Sequence, residues 1–178
     1  MRSKGIDCAV EAIQHLRNAG VKISLRIAGT ADPENPEHVP DETLEAWGRM
    51  PGVALVGRVC DISAFWAGVH IACLPSRGGE GLPRTLLEAS ACARPIVTTD
   101  APGCADFVVP GETGLVVPRG DVVALAAALR RLCKDSALRG RMGLAGRSRV
   151  VGGYTEQHCA EQAASAWERL LAAPHWCG

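Results

Sequence analysis

Ser76-Arg77-Gly78-Gly79-Glu80-Gly81-Leu82-Pro83-Arg84-Thr85-Leu86-Leu87-Glu88 is the stretch on which the reading of this chain turns. The run before it, Val69-His70-Ile71-Ala72-Cys73-Leu74, is short, rich in branched residues and closed by Pro75, which predicts a buried strand. Two glycines, a carboxylate and a third glycine follow, and then a helical pattern. Glu80 and Glu88 are eight residues apart, a little over two helical turns. The expectation is a strand, a glycine loop and a helix whose start faces a ligand. Free backbone N–H groups and the helix dipole draw phosphate or sugar hydroxyls to such a start.

The same rhythm extends both ways. Upstream, Ile6 to Ala19 carries a helical stripe of Ile6, Ala9, Val10, Ile13 and Leu16, stopped by Gly20. Val21 to Ala28 alternates as a strand, Thr30 to Pro40 is a proline-rich loop, and Asp41 opens a short helix with Leu44 and Trp47 inward. Val53 to Val56 reads as a strand and Asp61 caps the next helix. Downstream, Arg94 to Thr99 and Leu115 to Pro118 read as strands. Asp121 caps a helix with Val122, Leu125, Leu129 and Leu132 apolar, Ser136 to Val150 forms another, and Thr155 caps a last one with a stripe of Ala160, Ala163, Ala164 and Trp167. Strands alternating with helices predict an α/β fold, a doubly wound Rossmann-like parallel sheet. Residues 1–154 form that domain, and residues 155–178 add a terminal helix and a frayed tail. Such sheets bind ligands beyond the carboxyl ends of their strands, where the glycine turns collect.

Composition narrows the function. Lys plus Arg equals Asp plus Glu, 19 each, so no bulk charge points to nucleic acid or acidic membranes. Aromatic residues make up 4%, which argues against base-stacking platforms. Eight cysteines contain no Cys-x-x-Cys, so reduced, mostly buried thiols are expected rather than a metal site. His70 and Cys73 point to opposite faces of their strand, against shared ligation. Trp47, Trp66 and Trp167 read as core or interface residues, and Arg139, Arg141, Arg147 and Arg149 as a solvated basic face with a peripheral membrane role as the alternative.

The Pro75–Glu88 run, then Ala-Ser-Ala-Cys-Ala-Arg-Pro-Ile-Val-Thr-Thr-Asp-Ala-Pro-Gly-Cys, then Gly-Glu-Thr-Gly-Leu-Val-Val-Pro, resembles the C-terminal half of a retaining glycosyltransferase of the GT-B fold, glycosyltransferase family four. The resemblance runs from Lys4-Gly5 to about Val150, and its wording is similar to the capsular-polysaccharide and O-antigen branch, which works on the cytosolic face of the bacterial membrane. It implies that Glu80 is the catalytic carboxylate that orients the donor sugar. Glu88 would hold the ribose or sugar side of the nucleotide, and Lys4 would pair with the donor diphosphate. Gly79, Gly81, Leu82, Arg84 and Thr85 would face sugar and phosphate, and Gly57, Arg58 and Val59 the nucleobase. The implied donor is a nucleotide-sugar, a UDP-sugar above others, with no metal required. The implied place of work is cytoplasmic, peripheral to the membrane's inner face.

The departures shape the expectation. Family members carry an N-terminal acceptor domain and a strand ending in Gly-Arg just before the lysine, whereas here Met1 stands three residues before Lys4. The first strand is therefore expected to be missing, leaving an exposed sheet edge that favours a homodimer or a separate partner chain. The loop before Glu80 is one residue longer than the pattern, Gly79 replaces a basic or polar residue, Pro83 removes one backbone donor, and Asp106 replaces a glutamate. The reading that results is a donor-binding domain, inactive alone. The alternatives are a non-catalytic nucleotide-binding module and a sugar-nucleotide epimerase of the same fold. A dehydrogenase-type domain is disfavoured, because no Gly-x-Gly-x-x-Gly follows an early strand.

Overall fold

The computed structural model describes residues 2–31, 34–79 and 81–172. A 3-10 turn, Arg2–Lys4, leads into α1 (Ile6–Asn18), β1 (Leu25–Ala28), α2 (Asp41–Gly48), β2 (Val53–Gly57), α3 (Ile62–Ala67) and β3 (Ala72–Leu74). Then come α4 (Arg84–Ala91), β4 (Ile96–Thr99), α5 (Cys104–Phe107), β5 (Gly114–Val117), α6 (Val122–Lys134), α7 (Ser136–Gly153) and α8 (Glu156–Ala172). The expected alternation is present, and each strand pair among the described residues is parallel. The helix starts follow local chemistry. The carboxylates of Asp61, Asp121 and Asp135 accept from the amides of Ala64, Ala124 and Leu138 at 2.7–2.8 Å, and the Thr155 hydroxyl accepts from His158 N–H at 3.2 Å.

The strands form two ladders, β1 with β2 and β3–β4–β5 in that order. In the larger ladder successive residues feed opposite faces, as the pleat requires. Val97, Val117 and Cys73 pack with α1 and α6, while Ile96, Ala72 and Leu74 pack with Trp66 of α3, Leu86 of α4 and Phe107 of α5. That part is doubly wound. β1 differs, because Leu25 packs toward α1 while Arg26 and Ala28 are exposed.

Two expectations change here. The sequence predicts strands from Val21 to Ala28 and from Val69 to Leu74, but residues 21–24 and 69–71 belong to no ladder. The second concerns the exposed sheet edge, whose place the sequence does not give: it lies inside the fold, where among the described residues β1 pairs only with β2 and β3 only with β4, and a cavity of about 430 Å³ is lined by both. Residues that cannot pair on that side fall out of the ladder, which accounts for the shortened strands.

None of the described cysteines is in a disulfide; Cys8 and Cys104 are buried and Cys60 and Cys159 exposed, so burial is less general than composition suggested. Burial pushes the Cys73 thiol up to about 12. Cys177 and the tail beyond Ala172 lie outside the described residues. Of the basic residues of α7, Arg141 and Arg147 are exposed as expected, but three of the four are engaged. Arg139 Nη1 donates to the Leu132 carbonyl at 2.6 Å, Arg147 donates to the Ala91 carbonyl, and the Arg149 guanidinium lies over the Phe107 and Tyr154 rings at 5.7 and 5.5 Å. Trp66 is buried and Trp47 half-buried, but Trp167 is 66% exposed and α8 has no buried residue.

Helix α7 seats α4 through small residues. A Cβ at Gly143 would collide with the Ala93 carbonyl, and one at Gly146 would lie 3.2 Å from Ser90 Oγ. By contrast, Gly140 on the same helix has open space around its Cβ position. Gly143→Ala is therefore expected to lower stability by about 1–3 kcal/mol through overpacking. Gly140→Ala is expected to raise it by about 0.5–1 kcal/mol through helix propensity. Urea denaturation of both variants checks this, and a neutral Gly143→Ala would contradict the packing.

Candidate functional site

The carboxyl end of β3 is fixed by its neighbour in the ladder. Thr98 Oγ1 donates to the Leu74 carbonyl at 2.7 Å, and Thr99 Oγ1 donates to the Ser76 carbonyl. Both threonines and Ser76 are buried. Beyond Ser76 the chain turns onto the N-terminal segment, where Arg77 N–H donates to the Ser3 carbonyl at 2.7 Å. Gly5 makes this approach feasible. It sits in the left-handed region at φ +64, and a Cβ there would collide with the Pro75 carbonyl. Lys4, the last residue of the 3-10 turn, is thereby set beside the glycine loop.

The glycines continue the contact. A Cβ at Gly78 would lie 3.6 Å from Ser3 Cβ, and one at Gly79 would lie 3.9 Å from Pro102 Cβ. The Pro102–Gly103 turn is itself braced, since Gly103 N–H donates to Asp106 Oδ2 at 2.9 Å. Asp106, noted in the sequence as a departure, thus spends its carboxylate on the start of α5. Asp100 accepts from the backbone N–H and Nε of Arg119 at 3.0 and 3.1 Å, tying the turns after β4 and β5 together.

Helix α4 points its start into this cluster. Pro83 precedes it without a side-chain cap, and the amides of Arg84 and Thr85 have no partner among the described residues. Such amides carry the positive end of the helix dipole. Glu88 is only 29% exposed at its side chain, and its Oε1 lies 3.5 Å from Arg84 Nη2. The Arg84 side chain is 90% exposed and runs along the helix toward Glu88. Gly81, Leu82 and Thr85 are exposed.

The sequence-predicted residues therefore divide. Lys4 and Gly79 lie by the carboxyl ends of β3 and β4, through the Ser3–Arg77 backbone bond and the approaches of Gly78 to Ser3 and Gly79 to Pro102, and α4 begins five residues beyond Gly79. Gly57, Arg58 and Val59 follow β2, in the other ladder, with Gly57 at φ +70 and Arg58 exposed. Glu80 lies outside the described residues. Among the described residues no three His, Cys, Asp or Glu side chains gather as a metal cage.

Sequence reasoning missed one element. Arg77 Nη2 donates to Asp7 Oδ2 at 2.7 Å and lies 3.0 Å from Cys8 Sγ. The hydrogen bond to Asp7 raises the Arg77 pKa further above its ordinary value, so the guanidinium stays charged. Arg2, Asp7, Trp47 and Arg77 line a cavity of about 310 Å³ beside the loop. Asp7 and Arg77 are 70 residues apart, and no local pattern in the sequence links them.

With this geometry in place, comparison with known proteins is informative. Residues 1–135 match the family model described as glycosyl transferases group 1. The chain belongs to that family. It is 29% identical over 171 residues to the capsular polysaccharide biosynthesis glycosyltransferase CapM of Staphylococcus aureus, covering 96% of this chain and 44% of the relative. The structure superposes with a TM-score of 0.83 and 27% identity on sucrose-phosphate synthase from Thermosynechococcus elongatus, over 97% of this chain and 43% of that one. It also superposes on the C-terminal domain of a glycosyl transferase group 1 family protein from Francisella tularensis, with a TM-score of 0.72 and 22% identity, covering 88% and 82%. The chain thus spans less than half the length of CapM and of the synthase, and its fold is the Rossmann-like C-terminal half of a GT-B glycosyltransferase.

The two ways of holding the loop differ in strength. The Asp7–Arg77 pair is 47% and 41% exposed at its side chains, and such pairs contribute about 0–1 kcal/mol. The Thr99 hydroxyl is buried, and leaving the Ser76 carbonyl without its donor costs about 1–3 kcal/mol. Thr99→Val is accordingly expected to destabilise the domain more than Asp7→Asn. Denaturant midpoints for the two variants check the order, and a larger loss for Asp7→Asn would contradict it.

Proposed function

We propose that this chain is the donor-binding half of a retaining glycosyltransferase that takes a nucleotide-sugar, a UDP-sugar, and passes the sugar to a glycan or lipid-linked acceptor in surface polysaccharide assembly. The observation that carries the reading is the packing of the Arg2–Gly5 segment against the Pro75–Gly79 loop at the carboxyl end of β3, with the uncapped start of α4 next in the chain. The similarity to a capsular polysaccharide glycosyltransferase supports the polysaccharide setting.

The chemistry follows from charge. When a nucleotide-sugar is cleaved, negative charge develops on the departing diphosphate. A lysine and the amides of Arg84 and Thr85, aimed where that charge grows, stabilise the transition state more than the ground state. In this reading Glu88, largely covered and one helical turn beyond Arg84, accepts hydrogen bonds from ribose hydroxyls. Glu80 carries the catalytic role assigned from its motif, orienting the donor sugar. Arg77 borders the same corner, its guanidinium held by the Asp7 carboxylate. No metal is needed for this division of labour, since cations and backbone dipoles meet the leaving charge. The acceptor binds in a second half of the cleft, so this domain alone binds donor without transferring it.

A second reading, a binding module that works with a separate partner chain, is favoured by α8. Its Trp167, Leu170 and Leu171 are 66%, 49% and 82% exposed, an apolar set with nothing packed on it among the described residues.

Isothermal titration of UDP into the wild-type chain and Glu88→Ala tests the site. Loss of a hydrogen bond to a charged group is expected to weaken binding about tenfold or more, from about 1.4 kcal/mol or above. Equal affinity for both would remove Glu88 from the site, and absence of UDP binding by the wild type would defeat the reading. Labelled UDP-glucose incubated with this chain and an acceptor glycan is expected to give no transfer, and robust turnover would show that no acceptor half is required.

A further inference from the structure

Four segments at the carboxyl edge of the sheet enclose the cavity of about 310 Å³, apart from the residues assigned to the donor. Arg2 reaches it from the 3-10 turn, Asp7 from the first turn of α1, Pro40, Thr43 and Trp47 from α2 and its lead, and Arg77 from the loop after β3. The walls are held by backbone. Arg2 N–H donates to the Glu37 carbonyl at 2.6 Å, Thr43 N–H to the Pro40 carbonyl at 3.0 Å and Arg77 N–H to the Ser3 carbonyl at 2.7 Å. Thr43 and Trp47 are four apart on α2 and share the face that lines the cavity. The volume lies within the range of small-molecule sites, about 300–1,000 Å³.

The charges of the lining do not cancel. They are two guanidinium groups and one carboxylate. Arg77 Nη2 donates to Asp7 Oδ2 at 2.7 Å, so these two charges offset each other. Arg2 is exposed, and its guanidinium makes no hydrogen bond or ion pair among the described residues. The cavity therefore offers one uncompensated positive charge. Asp7 Oδ1 is covered and has no partner, so the half-exposed side chain presents Oδ2 as its accessible acceptor. The half-buried Trp47 adds an apolar ring, and Thr43 a hydroxyl.

A ligand that meets these groups together carries one negative charge for Arg2, hydroxyls that donate to the Asp7 carboxylate, and an apolar face for the indole. A hexuronate has all three. Its carboxylate matches the planar guanidinium fork, its hydroxyls donate to Oδ2, and the faces of its ring show C–H groups. A nucleoside diphosphate fits less well, because its several charges meet one free guanidinium and are repelled by the Asp7 carboxylate.

The position fits the acceptor side of the reaction. Arg2 is two residues from Lys4, and Arg77 two from Gly79, so each pair spans at most about 7 Å. The Pro75–Gly79 loop thus stands between the cavity and the donor corner, with Arg77 turned to Asp7 on one side and Gly79 to Pro102 on the other. A glycan whose reacting end meets the donor sugar would set a neighbouring unit in this cavity.

We propose that the cavity is a subsite for an acidic sugar, a hexuronate unit of the acceptor glycan, with Arg2 binding its carboxylate, Asp7 its hydroxyls and Trp47 its ring. The acceptor role rests on the donor reading given above. The reacting hydroxyl is held by the other half of the cleft, and this subsite supplies binding energy at a distance from the chemistry.

The test follows the Trp47 indole resonance in 1H–15N correlation spectra of this chain, assigned by its loss in Trp47→Phe. Methyl β-glucuronide, methyl β-glucoside and inorganic phosphate are titrated separately, each with and without saturating UDP. The glucuronide is expected to shift the resonance saturably and to bind at least about tenfold more tightly than the glucoside. Phosphate is expected to leave the resonance in place. Arg2→Gln, a change at an exposed position, is expected to abolish the preference, so that the two glycosides bind alike. No shift with the glucuronide, equal affinity of the wild type for both glycosides, or a matching shift with phosphate would overturn the proposal. Displacement of the glucuronide by UDP would assign the cavity to the donor and overturn it as well. Glucuronide binding by a chain that takes no UDP would defeat the donor reading and the acceptor role with it, whereas a chain that takes UDP and ignores the glucuronide would defeat the subsite alone.

Discussion

The close approach of Gly5 to the Pro75 carbonyl is the constraint on which the site depends. It admits no side chain, and it uses a left-handed backbone that glycine adopts without strain. From it follow the Ser3–Arg77 backbone hydrogen bond, the placement of Lys4 beside the glycine loop and the reach of Arg77 to Asp7. The loop is gripped from the other side by β4, whose Thr98 and Thr99 hydroxyls hold the carbonyls of Leu74 and Ser76. The corner is thus built from backbone contacts and buried hydroxyls, with the exposed Asp7–Arg77 and Arg84–Glu88 pairs at its rim.

The same constraint organises the sheet. Gly5 anchors the start of α1 at the carboxyl edge of β3, and α1 then delivers the chain to β1, with Ile13 and Leu16 packed in the core shared with α6. The helix therefore bridges two ladders that share no strand-to-strand hydrogen bond among the described residues. β4 is buried along its whole length, whereas β1 is buried nowhere along it, so the two halves of the sheet differ in how fully they are enclosed.

Much of this was legible in the sequence where the chemistry is local. Asp61, Asp121 and Thr155 were readable as caps because a cap is set within three residues, and the helix after the glycine loop follows from Pro83 and the apolar spacing of Leu86 and Ala89. Membership of the glycosyl transferases group 1 was readable from the ordered loop, turn and last strand. Legibility ends where distance in the chain begins. Val21 to Ser24 and Val69 to Ile71 have strand character, but a ladder needs a partner, and pairing is not written in either segment. The Asp7–Arg77 pair joins residues 70 apart. The arginines of α7 look like a solvated face by composition, yet Arg139 and Arg147 end on backbone carbonyls and Arg149 on two aromatic rings. The stripe on α8 is apolar by spacing but buries nothing among the described residues.

The central claim is that the corner formed by the 3-10 turn, the glycine loop and the start of α4 receives a nucleotide diphosphate. Hydrogen exchange of the chain with and without saturating UDP tests it most directly. The account predicts slowed exchange confined to peptides covering residues 3–5, 77–79 and 81–88, with a smaller effect at 57–59. Protection confined to the cavity between β1 and β3, or none at residues 3–5 and 81–88, would contradict it.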